Sequence, residues 1–331
     1  MMVVVAPPPL KYSHTIGLLA LNGRGFSNPM HAAVTPDGIV YVANRSNATQ
    51  ALQGAVRITV CNVAGEYLGE FGKYGTDDGA FVWPAAIDVD SQGNIYLADE
   101  HRHLIQVWNT EQAFVRKWGR FGDGDGQLNR PAGLAIDSHD QVLVADTLNH
   151  RIVRFDASGR TLGTWGRAGS GEGEFNMPWG VGVDAQDNVY VADWRNDRVQ
   201  KFSPDGQFLA SFGRSGSSIG ELRRPADVAI DRTDGTVYVA DWGNERVSVF
   251  EPDGYPLTSL LGDADLSRWG AEYIAANDDI IRGRQLAYDM TPEKRFWGPT
   301  CVVTDPAGRL LVVDSCRHRL QVYDRVPYEE V

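Results

Sequence analysis

PAGLAIDSHDQVLVADTLNHRIVRF, residues 131–155, holds the pattern from which the whole chain is built. A proline opens an apolar run, a turn sequence SHD follows, then an apolar run ending in Ala-Asp, then a short loop and a third apolar run. Outward in both directions the central phrase recurs: IVYVAN at 39–44, NIYLAD at 94–99, NVYVAD at 188–193, TVYVAD at 236–241 and RLLVVD at 309–314. Each copy follows its own proline-led run, PMHAAV, PAAIDV, PWGVGV, PADVAI or PTCVVT, and most are followed by a further run ending near FG or WG. Val, Ile, Tyr, Phe and Trp fill the runs, while Asp and Gly fill the turns, where positive φ is tolerated. Runs such as VYVA hardly alternate, so both faces of each sheet are buried. Four strands per period of about 47 residues, repeated six times, predict an all-β, six-bladed propeller of antiparallel blades.

The spacing P-x-G/D-h-A-h-D, h-Y-V-A-D, N-x-R-I/V and F/W-G resembles the NHL repeat, and blade three carries that family's Asn149, His150 and Arg151. The resemblance runs from about residue 14 to 324 and implies the fold far more closely than the activity. Similar propellers include peptidyl-hydroxyglycine lyase, which holds zinc over its channel with histidines from several blades, and gluconolactonases, which hold calcium. The lyase's histidine directly after the blade proline is replaced here by Met30, Ala85, Ala132, Trp179, Ala226 and Thr300. Other NHL propellers bind protein or RNA on one face.

Closure follows from the strand count. The last blade has three strands after Pro299, so HTIGLLALNG, beginning at His14, is expected to supply the fourth and seal the ring. One propeller accounts for all 331 residues as a single domain. A formal charge of -12 argues against general nucleic-acid binding. The start, MMVVVAPPPLKYS, lacks the features of a signal peptide, and no apolar run reaches membrane-spanning length, so a cytoplasmic location is expected. Three cysteines fit a reducing compartment. His-Glu-x-x-His, Cys-x-x-Cys, Gly-x-Ser-x-Gly and Walker-type sequences are absent, and GDGDG at 122–126 reads as an inter-blade turn.

Two departures from the period point to a site. The loop after Asn44 expands into RSNATQALQGA, and the link from blade five to blade six expands over 263–296. Leu266, Trp269, Tyr273 and Ile280 or Ile281 recur at helical spacing with Asp265 placed to cap, so a short helical lid across the channel mouth is expected, with Trp269 and Tyr273 facing ligand or core.

Column comparison sharpens this. Two residues after each blade proline stand His31, Ala86, Gly133, Gly180, Asp227 and Cys301. The three polar or reactive ones fall in blades one, five and six, which become neighbours on closure. His31, Asp227 and Cys301, joined by Glu100 and His101 on a nearby loop, are therefore the catalytic candidates, with His31 and Asp227 also candidate ligands for zinc or calcium. The loop after the Ala-Asp phrase carries Arg45, Trp194, Arg195 and Trp242, which with Trp179, Trp269 and Tyr273 form a candidate binding rim. His103, His150 and His318 recur with the repeat and read as structural. Two functions fit: a lyase or hydrolase acting on a small molecule in a lidded pocket at the channel mouth, metal-assisted or not, or a scaffold that binds peptide or protein through its Trp- and Arg-rich face.

Overall fold

The computed structural model describes residues 10–45, 53–286 and 289–326, and most of the expanded loop after Asn44, residues 46–52, lies outside them. Six four-stranded antiparallel sheets stand around one axis. Their innermost strands are Pro29–Val34, Pro84–Val89, Pro131–Ile136, Pro178–Val183, Pro225–Ile230 and Pro299–Thr304. The second strands, such as Val142–Asp146 and Val189–Asp193, are buried along their whole length. They pack between neighbouring blades: Tyr96 and Ala98 of blade two share one apolar cluster with Leu134, Val144 and Phe155 of blade three.

Each Ala-Asp phrase ends in a fully buried acceptor that holds the chain's entry into its own blade. Asp99 accepts the backbone N–H groups of Val82 and Trp83 at 2.8 and 3.1 Å, Asp193 that of Asn176 at 2.7 Å, and Asp314 that of Trp297 at 2.8 Å. In blades three to six an arginine five residues on completes the unit: Arg151, Arg198, Arg246 and Arg319 donate from Nε to Asp146, Asp193, Asp241 and Asp314 at 2.8–2.9 Å. Blade one carries Asn44 instead, and its Arg57 pairs with Glu70 at 2.7 Å.

The histidine column is structural. His103, His150 and His318 adopt left-handed φ of 57°, 55° and 53°. Their Nδ1 atoms accept the N–H groups of Arg130, Met177 and Asn28 at 3.0–3.1 Å, linking successive blades.

The ring closes through Leu10–Ile16, which pairs antiparallel with Arg319–Arg325, from Leu10 opposite Arg325 to Ile16 opposite Leu320. The strand begins four residues before His14 and ends at Ile16, where Gly17 turns away with φ 109°. The closing strand thus lies earlier than the stretch HTIGLLALNG suggests, because the run Leu18 to Leu21 is apolar yet forms the link into blade one. Among the described residues no helix is long and apolar enough to cross a membrane.

The insertion between blades five and six folds into α1 (Arg268–Ala275), α2 (Asp278–Leu286) and α3 (Thr291–Lys294). The first helix is capped by Ser267, whose Oγ accepts the Gly270 N–H at 2.9 Å, rather than by Asp265. Asn277 marks the break between α1 and α2. Trp269 fixes the position of α1. Its indole packs on Phe26 and Tyr67 and donates to the Gly65 carbonyl at 2.7 Å, so the helix lies across the seam between the last blade and the first. Ser267 and Asp265 hold the outer closing strand, at Gly17 and Tyr12. The expected lid over the channel mouth is thus a clamp on the closing seam. Trp269 is core, at 2 % exposure, and Tyr273 faces solvent.

Two outcomes follow from the seam. Deleting residues 1–24 removes the fourth strand of blade six and bares the edge of Arg319–Arg325. Light scattering should then show aggregation, and the melting midpoint should fall by about 10 °C or more; a truncated chain that melts like the full one would contradict the closure. Trp269→Ala should cost about 3–5 kcal/mol in a denaturant titration while leaving ligand binding inside the ring unaltered, whereas a lid residue would show the reverse.

Candidate functional site

Strand register sets the second residue after the blade proline at one level, as in His31 opposite Ala43, Asp227 opposite Ala240 and Cys301 opposite Val313, so these positions form a layer across the blades. In the second-residue layer the blades crowd together. A Cβ on Gly133 would meet the Trp179 carbonyl oxygen at 2.0 Å, and one on Gly180 would meet Asp227 Oδ1 at 2.3 Å. Three small residues on one side of the ring therefore leave the axis to the three larger ones on the other. His31, Asp227 and Cys301 converge there, with one donor atom from each within 4.8 Å of the others.

His31 Nε2 stands 3.5 Å from Asp227 Oδ2, and the side chains are 14 % and 3 % exposed. The Ile87 N–H points at His31 Nδ1 from 3.4 Å, the long limit of a hydrogen bond. The Val302 N–H donates to Asp227 Oδ2 at 3.1 Å, and Cys301 Sγ lies 3.9 Å from the Ala32 carbonyl. Burial dominates the titration of all three. It lowers His31 to about 4, raises Asp227 to about 7 against the hydrogen bonds from Val302 and Cys301, and raises Cys301 well above the usual thiol range, helped by Asp227. The chemistry available to the cluster is proton transfer between an imidazole and a carboxyl, or the ligation of one cation. Its three donors are a nitrogen, an oxygen and a sulfur.

His31 and Asp227 line the inner end of an axial cavity of about 730 Å³. Its wall mixes aliphatic side chains of the innermost strands, Ile87, Leu134, Val181, Val228, Ile230 and Val302, with the charged groups of Asp88, Asp90, Asp137, Asp231, Arg232 and Asp305. Its far end is ringed by the turns between first and second strands, at Pro36, Ser91, Ser138, Thr233 and Pro306. The cavity thus runs away from the rim singled out in the sequence.

That rim is a separate arrangement. Glu100 accepts from Arg45 at 2.6 Å and from Arg130 at 3.3 Å, and both guanidinium groups lie over the Trp83 ring, at 4.5 and 5.5 Å. Trp179 and Trp194 pack at 5.2 Å, with Arg195 and Arg224 over Trp194 at 5.5 and 5.3 Å. His101 stacks on Trp83 at 5.1 Å, and Trp242 packs against the core of blades five and six. Arg45, Glu100, His101, Trp179, Trp194, Arg195, Trp242, Trp269 and Tyr273 are all absent from the cavity wall. The structure joins His31, Asp227 and Cys301 and leaves the other candidates apart.

The cavity also holds carboxylates that are not among the sequence candidates, and one of them, Asp88, lies within an innermost strand itself. Asp88 accepts the N–H groups of Val89 at 2.8 Å and of Ile136, in the next blade, at 2.9 Å. Burial raises it to about 6. The signal was present one layer down: the fourth residues after the prolines are Ala33, Asp88, Ala135, Gly182, Ala229 and Val303, with a single carboxylate among them.

A family model for the NHL repeat matches residues 81–108, 128–155, 175–202, 222–250 and 296–323. The unmatched blade is the first, the one with Asn44 in place of the buried aspartate. No curated protein matches the chain by sequence. Among solved structures the chain resembles a catalytically inactive virginiamycin B lyase from Staphylococcus aureus with quinupristin, at 11 % identity and TM-score 0.57 over 97 % of this chain and 90 % of that one. A streptogramin B lyase resembles it at 11 % and 0.56, over 95 % and 98 %. A protein of unknown function from Bacteroides thetaiotaomicron does so at 18 % and 0.62, over 95 % and 73 %. At these identities the likeness is one of fold.

The two buried groups bias stability in opposite directions. Asp227 is raised from 3.8 to about 7, so its contribution is full below pH 4 and is lost as pH rises through about 7. His31 is lowered from 6.5 to about 4, so its contribution is full above pH 6.5 and is lost as pH falls through about 4. Burial, the largest cause of both, survives loss of the partner. Relative to the parent, Asp227→Asn should gain stability steadily from pH 4 to 7, and His31→Gln should lose it from pH 4 to 6.5. Chemical denaturation across that range reads both slopes; parallel curves would mean that the pair does not titrate in this window.

Proposed function

We propose that this chain, an NHL-repeat six-bladed propeller, is an enzyme of lyase type that acts on a small molecule held in the axial cavity, with His31 and Asp227 as its reacting pair. The reading is carried by one observation: an imidazole and a carboxyl from two different blades meet 3.5 Å apart at the inner end of the axial cavity, in a column where blades two, three and four carry Ala or Gly. The aliphatic side chains of the wall favour a substrate with an apolar body, while Asp137, Asp231, Arg232 and Asp305 toward the open end would meet polar groups, and the pair stands at the inner end. An elimination suits the pair. It takes a proton from a carbon beside an electron-withdrawing group, the electron pair forms a new double bond as the adjacent bond breaks, and the same proton returns to the leaving group. The lyases among the structural neighbours support this class over hydrolysis, which needs a placed water as well. Asp88, on the same wall, would orient a hydrogen-bond donor of the substrate.

The experiment is a ligand and turnover screen of the parent against His31→Ala and Asp227→Asn, with Trp194→Ala as the rim control. Turnover should fall at least about a hundredfold in the first two and stay near the parent in the third, with all melting midpoints within a few degrees. A scaffold that binds peptide or protein is the second reading, favoured by the stacked Arg45, Trp83 and Arg130 on the opposite rim. Loss of binding in Trp194→Ala with none in His31→Ala would establish the scaffold and overturn the enzyme.

A further inference from the structure

We propose that His31, Asp227 and Cys301 form a binding site for one divalent cation of the zinc class, with a coordination position left open to the axial cavity. The use of that ion in catalysis rests on reading the cavity as the working site; its binding does not.

The geometry carries the inference. The three donors lie within 4.8 Å of one another and form the one such group among the described residues. Nε2 and Oδ2, at 3.5 Å, already stand near the roughly 3.3 Å that separates two nitrogen or oxygen ligands of a tetrahedral zinc with bonds of about 2.0–2.1 Å. Sγ lies within 4.8 Å of both, so it would approach each by no more than about 1 Å to reach a zinc–thiolate bond of about 2.3 Å. Each donor stands at the same register on the innermost strand of a different blade, so the backbone presents three fixed anchor points rather than a loop.

The donor set selects the ion. Nitrogen, thiolate and a single carboxylate suit zinc and its neighbours, whereas calcium takes six to eight oxygens, which this cluster cannot supply. A carboxylate and a thiolate also neutralise a doubly charged ion in a buried place, where an uncompensated charge would be costly. The Val302 N–H on Asp227 Oδ2 orients that carboxylate from outside the cluster. Ligation through Nε2 puts the imidazole proton on Nδ1, so the Ile87 N–H contact must open; at 3.4 Å little is lost. Because His31 and Asp227 line the cavity while Cys301 is fully buried behind them, a further ligand could reach the ion only from the cavity side. With His31 Nε2 and Asp227 Oδ2 as its ligands, a zinc-class ion would supply Lewis acidity at a bound oxygen in place of the direct proton transfer by that pair.

The test uses full-length protein, stripped by chelator and titrated with Co²⁺. One ion per chain should bind, with a sulfur-to-cobalt charge-transfer band in the near ultraviolet. Cys301→Ser should abolish that band. The double variant Cys61→Ser, Cys316→Ser, in which Cys301 is the only thiol, should keep it. His31→Gln should weaken binding about tenfold or more, Zn²⁺ should displace the cobalt, and Ca²⁺ should not. Absence of the band in the parent and in the double variant, or its survival in Cys301→Ser, would overturn the site. The two proposals can fail separately. No band with turnover that still depends on His31 and Asp227 sinks the metal alone, while a cobalt band in a protein whose ligand binding ignores those residues upholds the metal and sinks the cavity reading.

Discussion

A buried carboxylate that accepts backbone N–H groups from the link into its own blade is the contact on which the ring depends. Asp146, Asp193, Asp241 and Asp314 are fully buried, and burial alone would make such a group neutral or expel it. Each is instead met by one main-chain N–H and by an arginine Nε, and the arginine's remaining donors reach carbonyl oxygens of the same link, as Arg198 does at Gly171 and Glu174. The outcome is a solvent shell rebuilt from protein. One side chain thereby fixes the path of a link that has little regular structure, and it does so once per blade.

The same device explains where the repeat departs from its own pattern. In blade two Leu104 replaces the arginine, and Arg102 instead holds the carbonyls of Thr76, Asp77 and Ala80. In blade one Asn44 replaces the aspartate, an amide that needs no counter-charge, and Arg57 turns to Glu70 and to the carbonyls of Ala20 and Gly25. Loss of the charge on one partner is matched by redirection of the other. A freed arginine buried beside an amide would otherwise be left without an anion.

The fold was legible because its information is local and repeated. A leading proline and a phrase closing in Asp or Asn mark strand ends in every period, and six copies average out the noise of any one. His31, Asp227 and Cys301 were legible for a related reason: equivalent positions in a closed ring share a height on the axis, so a column of the repeat is a layer of the structure. The depth of the cavity was not legible. Which way it runs from that layer depends on how closely six strands approach, and only Gly133 and Gly180 hinted at this. The role of 263–296 was misread for a physical reason as well. Helical spacing gives an amphipathic face but not the surface it will cover, and here that surface is the seam, where Trp269 packs on Phe26 and Tyr67, rather than the channel. Asp88 belongs to a different column from the other three, two residues further along the innermost strand, where it stands alone among small and aliphatic residues.

The crowding at the axis has a bearing on how such a chain can change over time. Asp227 fits only because Gly180, in the preceding blade, has no side chain, and Gly133 is bare because the Trp179 carbonyl occupies its space. Repeats that look like copies of one module are therefore not exchangeable parts. Moving blade five into the place of blade three, or duplicating it, would set two bulky groups in contact or leave a hole on the axis, so the order of the repeats is itself inherited information. A propeller assembled by duplication becomes, through a few glycines at its centre, a chain whose history of copying cannot be repeated without loss.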